Sequence, residues 1–222
     1  ELVGSKRGVQ TELLLARFKT MNPDLRVWGI SATIGNMEEA IEVLHGSRSQ
    51  DAVSVVADIR KRIEVVSIIP AEVEKYPWAG HLGIRMLREV LPIIHRYRST
   101  LIFTNTRAQC EIWYQQLLEA DTELAGQIAM HHGSISKDLR EWVEDALYDG
   151  RLKAVVCTSS LDLGVDFRPV EAIVQIGSPK GVARFIQRAG RSGHQPGADS
   201  HIYFVPTHSL ELIEAAALRT SI

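Results

Sequence analysis

Apolar, strand-like segments alternate with segments of helical period over residues 99–222, and this alternation restricts the fold more than any other feature. The strand-like segments are TLIFTN, GQIAMHHGS, LKAVVCTSS, VEAIVQIGS and SHIYFVP. Continuous apolar runs of this kind are typical of parallel strands that are buried on both faces, with helices as the connections. The sequence therefore predicts an α/β fold with a mostly parallel sheet and helices on both faces.

The first 98 residues follow a less regular pattern. GVQTELLLARFKTM has helical period, RVWGISAT reads as a buried strand, and NMEEAIEVLHG reads as a helix that ends at Gly46. Residues 47–98 contain a β-rich piece, RIEVVSIIP, and a helix, GIRMLREVLPIIHRY. We predict three segments: a first unit over 1–46, a connection over 47–98, and the main α/β unit over 99–222.

Composition limits the possible ligands and compartments. The net charge of −2 provides no global basic field, so any nucleic-acid binding must depend on local patches. Cys110 and Cys157 are isolated, which excludes a disulfide framework and zinc spacing and favours a reducing, cytoplasmic location. His131 and His132 are adjacent on a strand and should point to opposite faces, so no metal site is predicted.

Small polar residues follow three of the predicted strands, in the loops 104–107, 131–136 and 158–167. In parallel sheets, ligands bind beyond the carboxyl ends of the strands. Hydroxyl groups and exposed backbone N–H groups at helix N-termini are suitable partners for a phosphate backbone. We therefore predict phosphate contacts at this edge, although each loop taken alone could simply cap its helix.

Three arginines, Arg184, Arg188 and Arg191, are separated by four and three residues in VARFIQRAGRSGH. On a helix this spacing places their side chains on one side, which predicts an anion site. The alternative for Arg184 is a simple pairing with a neighbouring carboxylate on the surface.

Several of these segments resemble known motifs. SATIGN, LIFTNTR, HHGS, VVCTSSLDLGVDF and QRAGRSGH resemble motifs III, IV, IVa, V and VI of superfamily 2 helicases. GSKRGVQTELLLARF, RVWGISATIGN and GSPKGVARFIQRAGRSGH are similar to the Lhr family of ATP-dependent DNA helicases, in particular its ligase-associated DExH-box branch. The resemblance implies a RecA-like lobe over 99–222, preceded by the remnant of a first RecA-like lobe over 1–46 that carries motif III. Residues 47–98 would then be the inter-lobe connection and the start of the second lobe.

The resemblance also implies roles for individual residues. Arg191 would be the arginine finger at the ATP site, with Arg188 as a second γ-phosphate contact and Gln187 beside them. The nucleotide contacts would include Gly164, Asp166 and Gly190, and Asp166 would meet the ribose hydroxyl unless it caps a turn instead. The nucleic-acid contacts would be Asn105, Thr106, Arg107, Gly133, Ser134, Thr158 and Ser159. Ser31 and Thr33 of motif III would couple hydrolysis to strand movement.

Half of an ATP-hydrolysing site is missing from the sequence. Such a site needs a G-x-x-x-x-G-K-[S/T] loop for the phosphates and an Asp-Glu pair for Mg²⁺, whereas here no lysine follows a glycine and no aspartate precedes a glutamate. We therefore expect a fragment that is inactive alone, with ATP and Mg²⁺ held mainly by a missing first lobe.

The expected parent is a 3′→5′ translocase and helicase that acts on single-stranded or tailed duplex DNA. Its other partners would be the N-terminal RecA-like lobe and C-terminal accessory domains of the same protein. Two alternatives stay open: a non-catalytic RecA-like module for nucleic acid or protein, and the lobe of an RNA helicase. The RNA helicase alternative fits less well, because motif VI begins with Gln187 where DEAD-box proteins have histidine.

Overall fold

The computed structural model describes residues 6–31, 34–56, 62–69, 83–162, 170–193 and 199–220. Its contacts divide the chain into two units, Glu1–Ile59 and Arg60–Ile222. The boundary between the units lies inside the segment 47–98, where the sequence predicts a connection.

The first unit contains two helices, α1 (Lys6–Met21) and α2 (Met37–His45), and a 3₁₀ turn at Gly46–Asp51. The side chain of Asn36 caps α2, and Gly46 ends this helix with a φ of 61°, as the sequence predicts. The predicted buried strand RVWGISAT is wrong for the residues described: residues 26–31 form no strand, and Trp28 and Ile30 are 85% and 94% exposed. The reason is that the described part of this unit offers no other strand for pairing.

The second unit is built on a six-stranded sheet in the order β1-β6-β5-β2-β4-β3, in which every neighbouring pair is parallel. Its strands are β1 (Ile63–Ser67), β2 (Thr100–Phe103), β3 (Ile128–His131), β4 (Ala154–Cys157), β5 (Ala172–Ile176) and β6 (Ser200–Val205). Each lies within a segment that reads as a strand in the sequence.

Helices cover both faces of this sheet. The helices of this unit are α3 (Leu87–Arg96), α4 (Arg107–Ala120), α5 (Lys137–Tyr148), α6 (Val182–Ala189) and α7 (Leu210–Thr220). On one face α3 and α4 form a core with Ile102, and on the other α5, α6 and α7 form a core with Leu101 and Phe103. The predicted fold class, a RecA-like parallel sheet between two layers of helices, is confirmed.

The tryptophans test the predicted cores. Trp113 and Trp142 lie at apolar positions of helical period in the sequence, which predicts a buried place in the core for each. Trp113 is fully buried in the core beneath α4, as predicted. The same prediction for Trp142 is wrong, since its side chain is 47% exposed and lies near the Arg151 guanidinium. The face of α5 that packs on the sheet is formed by Val143, Ala146 and Leu147.

Two further findings concern the cysteines and the character of the helices. Both cysteines are free and buried, and burial raises the pKa of the Cys110 thiol to about 12. A thiol that is so rarely ionised is a poor nucleophile and metal ligand. Within the described ranges, no helix has the length and apolar character needed to cross a membrane.

Candidate functional site

Three polar loops meet at one edge of the sheet. Strands β2, β4 and β3 are neighbours and all run in the same direction, so the loops that follow them start side by side. These loops are 104–107 after β2, 132–136 after β3 and 158–162 after β4. The structure therefore brings together the described parts of the three segments for which the sequence predicts phosphate contacts.

The loop after β2 is fixed by its own polar groups. The buried Thr104 hydroxyl donates to the carbonyl of Cys157 over 3.0 Å. Thr106 is the N-cap of α4, and its hydroxyl accepts the backbone N–H of Gln109 over 3.1 Å. The Gln109 side chain in turn accepts the backbone N–H of Asn105 over 3.0 Å. These bonds hold the backbone at the carboxyl end of β2 in one conformation.

Arg107 links this loop to the next one. Its guanidinium donates to the hydroxyl of Ser134, and both residues are exposed. Gly133 lies beside Ser134 and is exposed as well. A cation, a hydroxyl group and a glycine backbone thus share one accessible surface, which suits a phosphate group.

The capping bond of Thr106 gives a first prediction. Thr106→Ala is expected to lower the free energy of unfolding by about 1 kcal/mol, because α4 loses the acceptor for one of its first N–H groups. Thr106→Ser keeps the hydroxyl and is expected to lose much less. Urea unfolding of both variants measures the difference, and equal stabilities for the two would contradict the capping role.

The loop after β4 is a 3₁₀ turn, Ser159–Leu161, between Thr158 and Asp162. Thr158 donates its backbone N–H to the carbonyl of His131 over 3.2 Å, and Ser159 is exposed at the start of the turn. Asp162 closes the turn through its N–H to the carbonyl of Ser159, 3.1 Å away, and its side chain is buried.

The three arginines of the α6 region share one partner, Asp162. Arg188 donates from Nε to Oδ1 over 2.8 Å and from Nη2 to Oδ2 over 3.2 Å. Arg184 Nε lies 3.6 Å from Oδ2. Arg191 donates from Nε and Nη2 to the Asp162 carbonyl oxygen over 3.2 and 2.7 Å. The prediction that these side chains share one side is confirmed. Arg184 pairs with a carboxylate, but with the buried Asp162 rather than with a residue on the surface.

Arg188 is placed differently from its predicted role. It is only 2% exposed, donates also to the side-chain oxygen of Gln175 over 2.6 Å, and stacks 4.4 Å from the centre of the Phe103 ring. A guanidinium that is surrounded in this way has no access to an external phosphate unless its bonds to Asp162 open. The arrangement therefore does not support Arg188 as a γ-phosphate contact and fits a buried ion pair between α6 and the β4 loop.

Arg191 differs from Arg188 in exposure and in the type of partner. It is partly exposed just beyond α6, and its two bonds to Asp162 reach a neutral carbonyl oxygen. Burial lowers the pKa of Arg191, but a guanidinium stays protonated in proteins. Arg191 thus combines a fixed position with a positive charge that is accessible from solvent.

The other predicted residues are distributed as follows. Gln187 is partly exposed on α6, and Gly190 ends this helix at a position where a Cβ atom would lie 3.1 Å from the Gln187 carbonyl oxygen. Ser31 is exposed in the first unit. Thr33, Gly164 and Asp166 lie outside the described residues. In the described part of the chain, no group of three or more His, Cys, Asp or Glu residues is arranged to hold a metal ion.

The sequence analysis did not single out Asp162. A signal existed: no carboxylate occurs from Gly177 to Gly197, so the α6 arginines needed a partner from elsewhere in the chain. Asp162 is the first acidic residue after the hydroxyl-rich stretch 158–160. The contact itself depends on the packing of α6 against the β4 loop, which the spacing of residues does not reveal.

Comparisons with known proteins show the family of the chain. The family model "Helicase conserved C-terminal domain" matches residues 83–195. The chain is 33% identical over 214 residues to the ATP-dependent helicase Lhr-Core of Methanocaldococcus jannaschii, covering 96% of this chain and 25% of that protein. It is 36% identical over 200 residues to Lhr-Core protein 2 of Thermococcus barophilus, covering 87% of this chain and 23% of that protein. The chain thus spans about a quarter of the length of these relatives.

A solved structure extends the comparison to three dimensions. Mycobacterium smegmatis helicase Lhr, bound to single-stranded DNA and AMP-PNP, matches with a TM-score of 0.81 and 31% identity. The match covers 97% of this chain and 28% of the other.

Proposed function

Because the chain belongs to the helicase conserved C-terminal domain family and is of the Lhr type, we propose that it forms the C-terminal lobe of an ATP-dependent 3′→5′ DNA helicase. One observation carries the proposal. A single turn, residues 158–162, joins an exposed polar edge suited to a phosphate backbone to an arginine cluster suited to a nucleotide. A motor needs such a connection, since strand binding and ATP hydrolysis must affect each other.

On the nucleotide side, Arg191 is the proposed arginine finger, with Gly190 and Gln187 beside it. Its accessible charge and its anchor on a carbonyl oxygen support this role. ATP supplies the phosphoryl group, and the Arg191 guanidinium neutralises negative charge that develops on this group during transfer. Arg188, held by Asp162, acts as a positioning residue. Gly164 and Asp166 remain proposed nucleotide contacts.

On the nucleic-acid side, the proposed contacts belong to the three loops at the sheet edge. They are Asn105, Thr106, Arg107, Gly133, Ser134, Thr158 and Ser159. The shared surface of Arg107 and Ser134 supports a phosphate contact, because a guanidinium and a hydroxyl group both donate to phosphate oxygens. Strand movement would be coupled to hydrolysis through Ser31 and Thr33.

The remaining parts of the ATP site are proposed to come from another part of the parent protein. This sequence contains neither the Gly-Lys pair of a phosphate-binding loop nor an Asp-Glu pair for Mg²⁺. The parent would include a first RecA-like lobe that holds ATP and Mg²⁺, and this chain alone would neither hydrolyse ATP nor unwind DNA.

Strand binding by the chain itself tests the nucleic-acid side. Affinity for a labelled single strand is expected to fall as salt rises, and Arg107→Ala is expected to reduce the slope of log K against log[salt] by about 0.7, one phosphate contact. Arg98→Ala is a matched control, because Arg98 is 94% exposed and lies before β2, at the opposite edge of the sheet. An affinity that does not change with salt, or a slope unaffected by Arg107→Ala, would contradict the proposed phosphate contact.

A further inference from the structure

His131 is a buried residue at the end of β3. Its ring contacts two other elements of the second unit, α5 and the turn after β4. Its Nδ1 lies 2.7 Å from the hydroxyl oxygen of Ser160, in the turn after β4. Its Nε2 lies 3.0 Å from Oε1 of Glu144 on α5. Both ring nitrogens thus have a partner, although the ring is almost completely enclosed.

The hydrogen positions follow from the partners. Burial lowers the pKa of His131, so the ring is neutral near pH 7 and carries one N–H. A carboxylate only accepts hydrogen bonds, which places this N–H on Nε2, facing Glu144. Nδ1 is then unprotonated and can only accept from the Ser160 hydroxyl, whose single proton is shared with the His131 carbonyl oxygen. Glu144 therefore fixes the tautomer, and the ring presents an acceptor to Ser160.

The backbone of His131 holds the same turn. Its carbonyl oxygen accepts the N–H of Thr158 over 3.2 Å and accepts from the Ser160 hydroxyl over 2.8 Å, in competition with Nδ1 of the same residue. The turn is therefore held by His131 at its beginning and by Arg188, through Asp162, at its end. Both anchors are buried, so a movement at one end of this short turn cannot be absorbed freely at the other.

We propose that His131 is a positioning residue that sets the Thr158–Asp162 turn through Ser160 and so transmits strand binding to the arginine cluster. The inference rests on the proposed function, since it assigns the path between the two ligand surfaces of that function. Strand contacts at Thr158 and Ser159 would act on one end of the turn. The carbonyl of Asp162, which anchors Arg191, would respond at the other end.

ATP hydrolysis by the full-length protein tests this role, measured as the ratio of kcat with saturating single-stranded oligonucleotide to kcat without it. Ser160→Ala and His131→Gln are expected to lower this ratio about tenfold, the scale of one buried hydrogen bond. His131→Asn is expected to keep most of the ratio, because its amide group takes the position of Nδ1 and reaches Ser160. Glutamine instead reaches Glu144 and leaves Ser160 without its ring partner.

The pair of His131 variants separates positioning from packing. Glutamine is closer to histidine in size, so a purely structural role would make His131→Gln the milder change. His95→Asn is the matched control, because His95 also pairs with a carboxylate, Asp121, but at the opposite edge of the sheet. Its ratio is expected to match that of the wild type.

The outcomes distinguish the inference from the proposed function. A wild-type ratio for Ser160→Ala, or a His131→Asn variant as impaired as His131→Gln, would overturn the role of His131. If the role of His131 is overturned but Arg191→Ala lowers kcat in the same assay, the proposed function still stands. A wild-type protein whose hydrolysis does not respond to any strand would overturn both. Should the His131 variants fail to fold, Ser160→Ala alone decides.

Discussion

Replacing Arg191 with alanine is expected to lower kcat for ATP hydrolysis by the full-length protein about 10³-fold or more. The reason is that the guanidinium neutralises charge that develops only in the transition state, so its loss affects the rate more than nucleotide binding. Steady-state hydrolysis at saturating ATP and single-stranded DNA measures the effect.

Two controls identify the cause of a loss at Arg191. Arg191→Lys keeps the charge but not the planar fork, and it is expected to recover only part of the rate. Arg184→Ala removes another guanidinium near Asp162, with 38% of its side chain exposed, and it is expected to change kcat about threefold or less. An Arg191→Ala enzyme within twofold of the wild type would remove the finger assignment.

Asp162→Ala is expected to lower the free energy of unfolding by about 3–5 kcal/mol, because it leaves the buried Arg188 charge without its carboxylate. The side chains of Arg188 and Asp162 are 3% and 4% exposed, so water cannot replace the lost partner. Urea unfolding of the isolated chain measures the loss in free energy of unfolding, taken from the transition of the second unit.

The double variant Asp162→Ala/Arg188→Met is the decisive control for the ion pair. It removes both charges and is expected to be more stable than Asp162→Ala alone, since no unpaired charge stays buried. Asp199→Ala breaks an exposed pair with Arg62, at 4.0 Å, and is expected to cost about 0.5 kcal/mol or less. A double variant no more stable than Asp162→Ala would show that the lost stability comes from packing.

The sequence predicted the sheet of the second unit well because its strands are buried on both faces. TLIFTN and VEAIVQIGS are continuous apolar runs, and such runs between helices leave few alternatives to a parallel sheet. RVWGISAT has a similar composition, yet it forms no strand over residues 26–31. A strand requires a partner, and composition alone does not say whether one is present.

The candidate site was predictable in outline but not in its contacts. The spacing of Arg184, Arg188 and Arg191 correctly placed them on one side. It could not show that Asp162, more than twenty residues earlier in the chain, meets all three. Likewise, His131 was considered as a possible metal ligand and as the start of the polar loop 131–136, whereas its partners Ser160 and Glu144 come from two other elements. Contacts of this kind depend on tertiary packing, which local sequence patterns do not reveal.

The central claim is that this chain serves two ligands through separate residues, which the Thr158–Asp162 turn connects. The most direct test measures kcat and the strand concentration for half-maximal stimulation in full-length Arg191→Ala and Arg107→Ala side by side. We expect Arg191→Ala to lower kcat strongly with little change in the strand concentration required. We expect Arg107→Ala to raise that concentration with a much smaller effect on kcat. If both variants change the same parameter, or neither changes any, the account is contradicted.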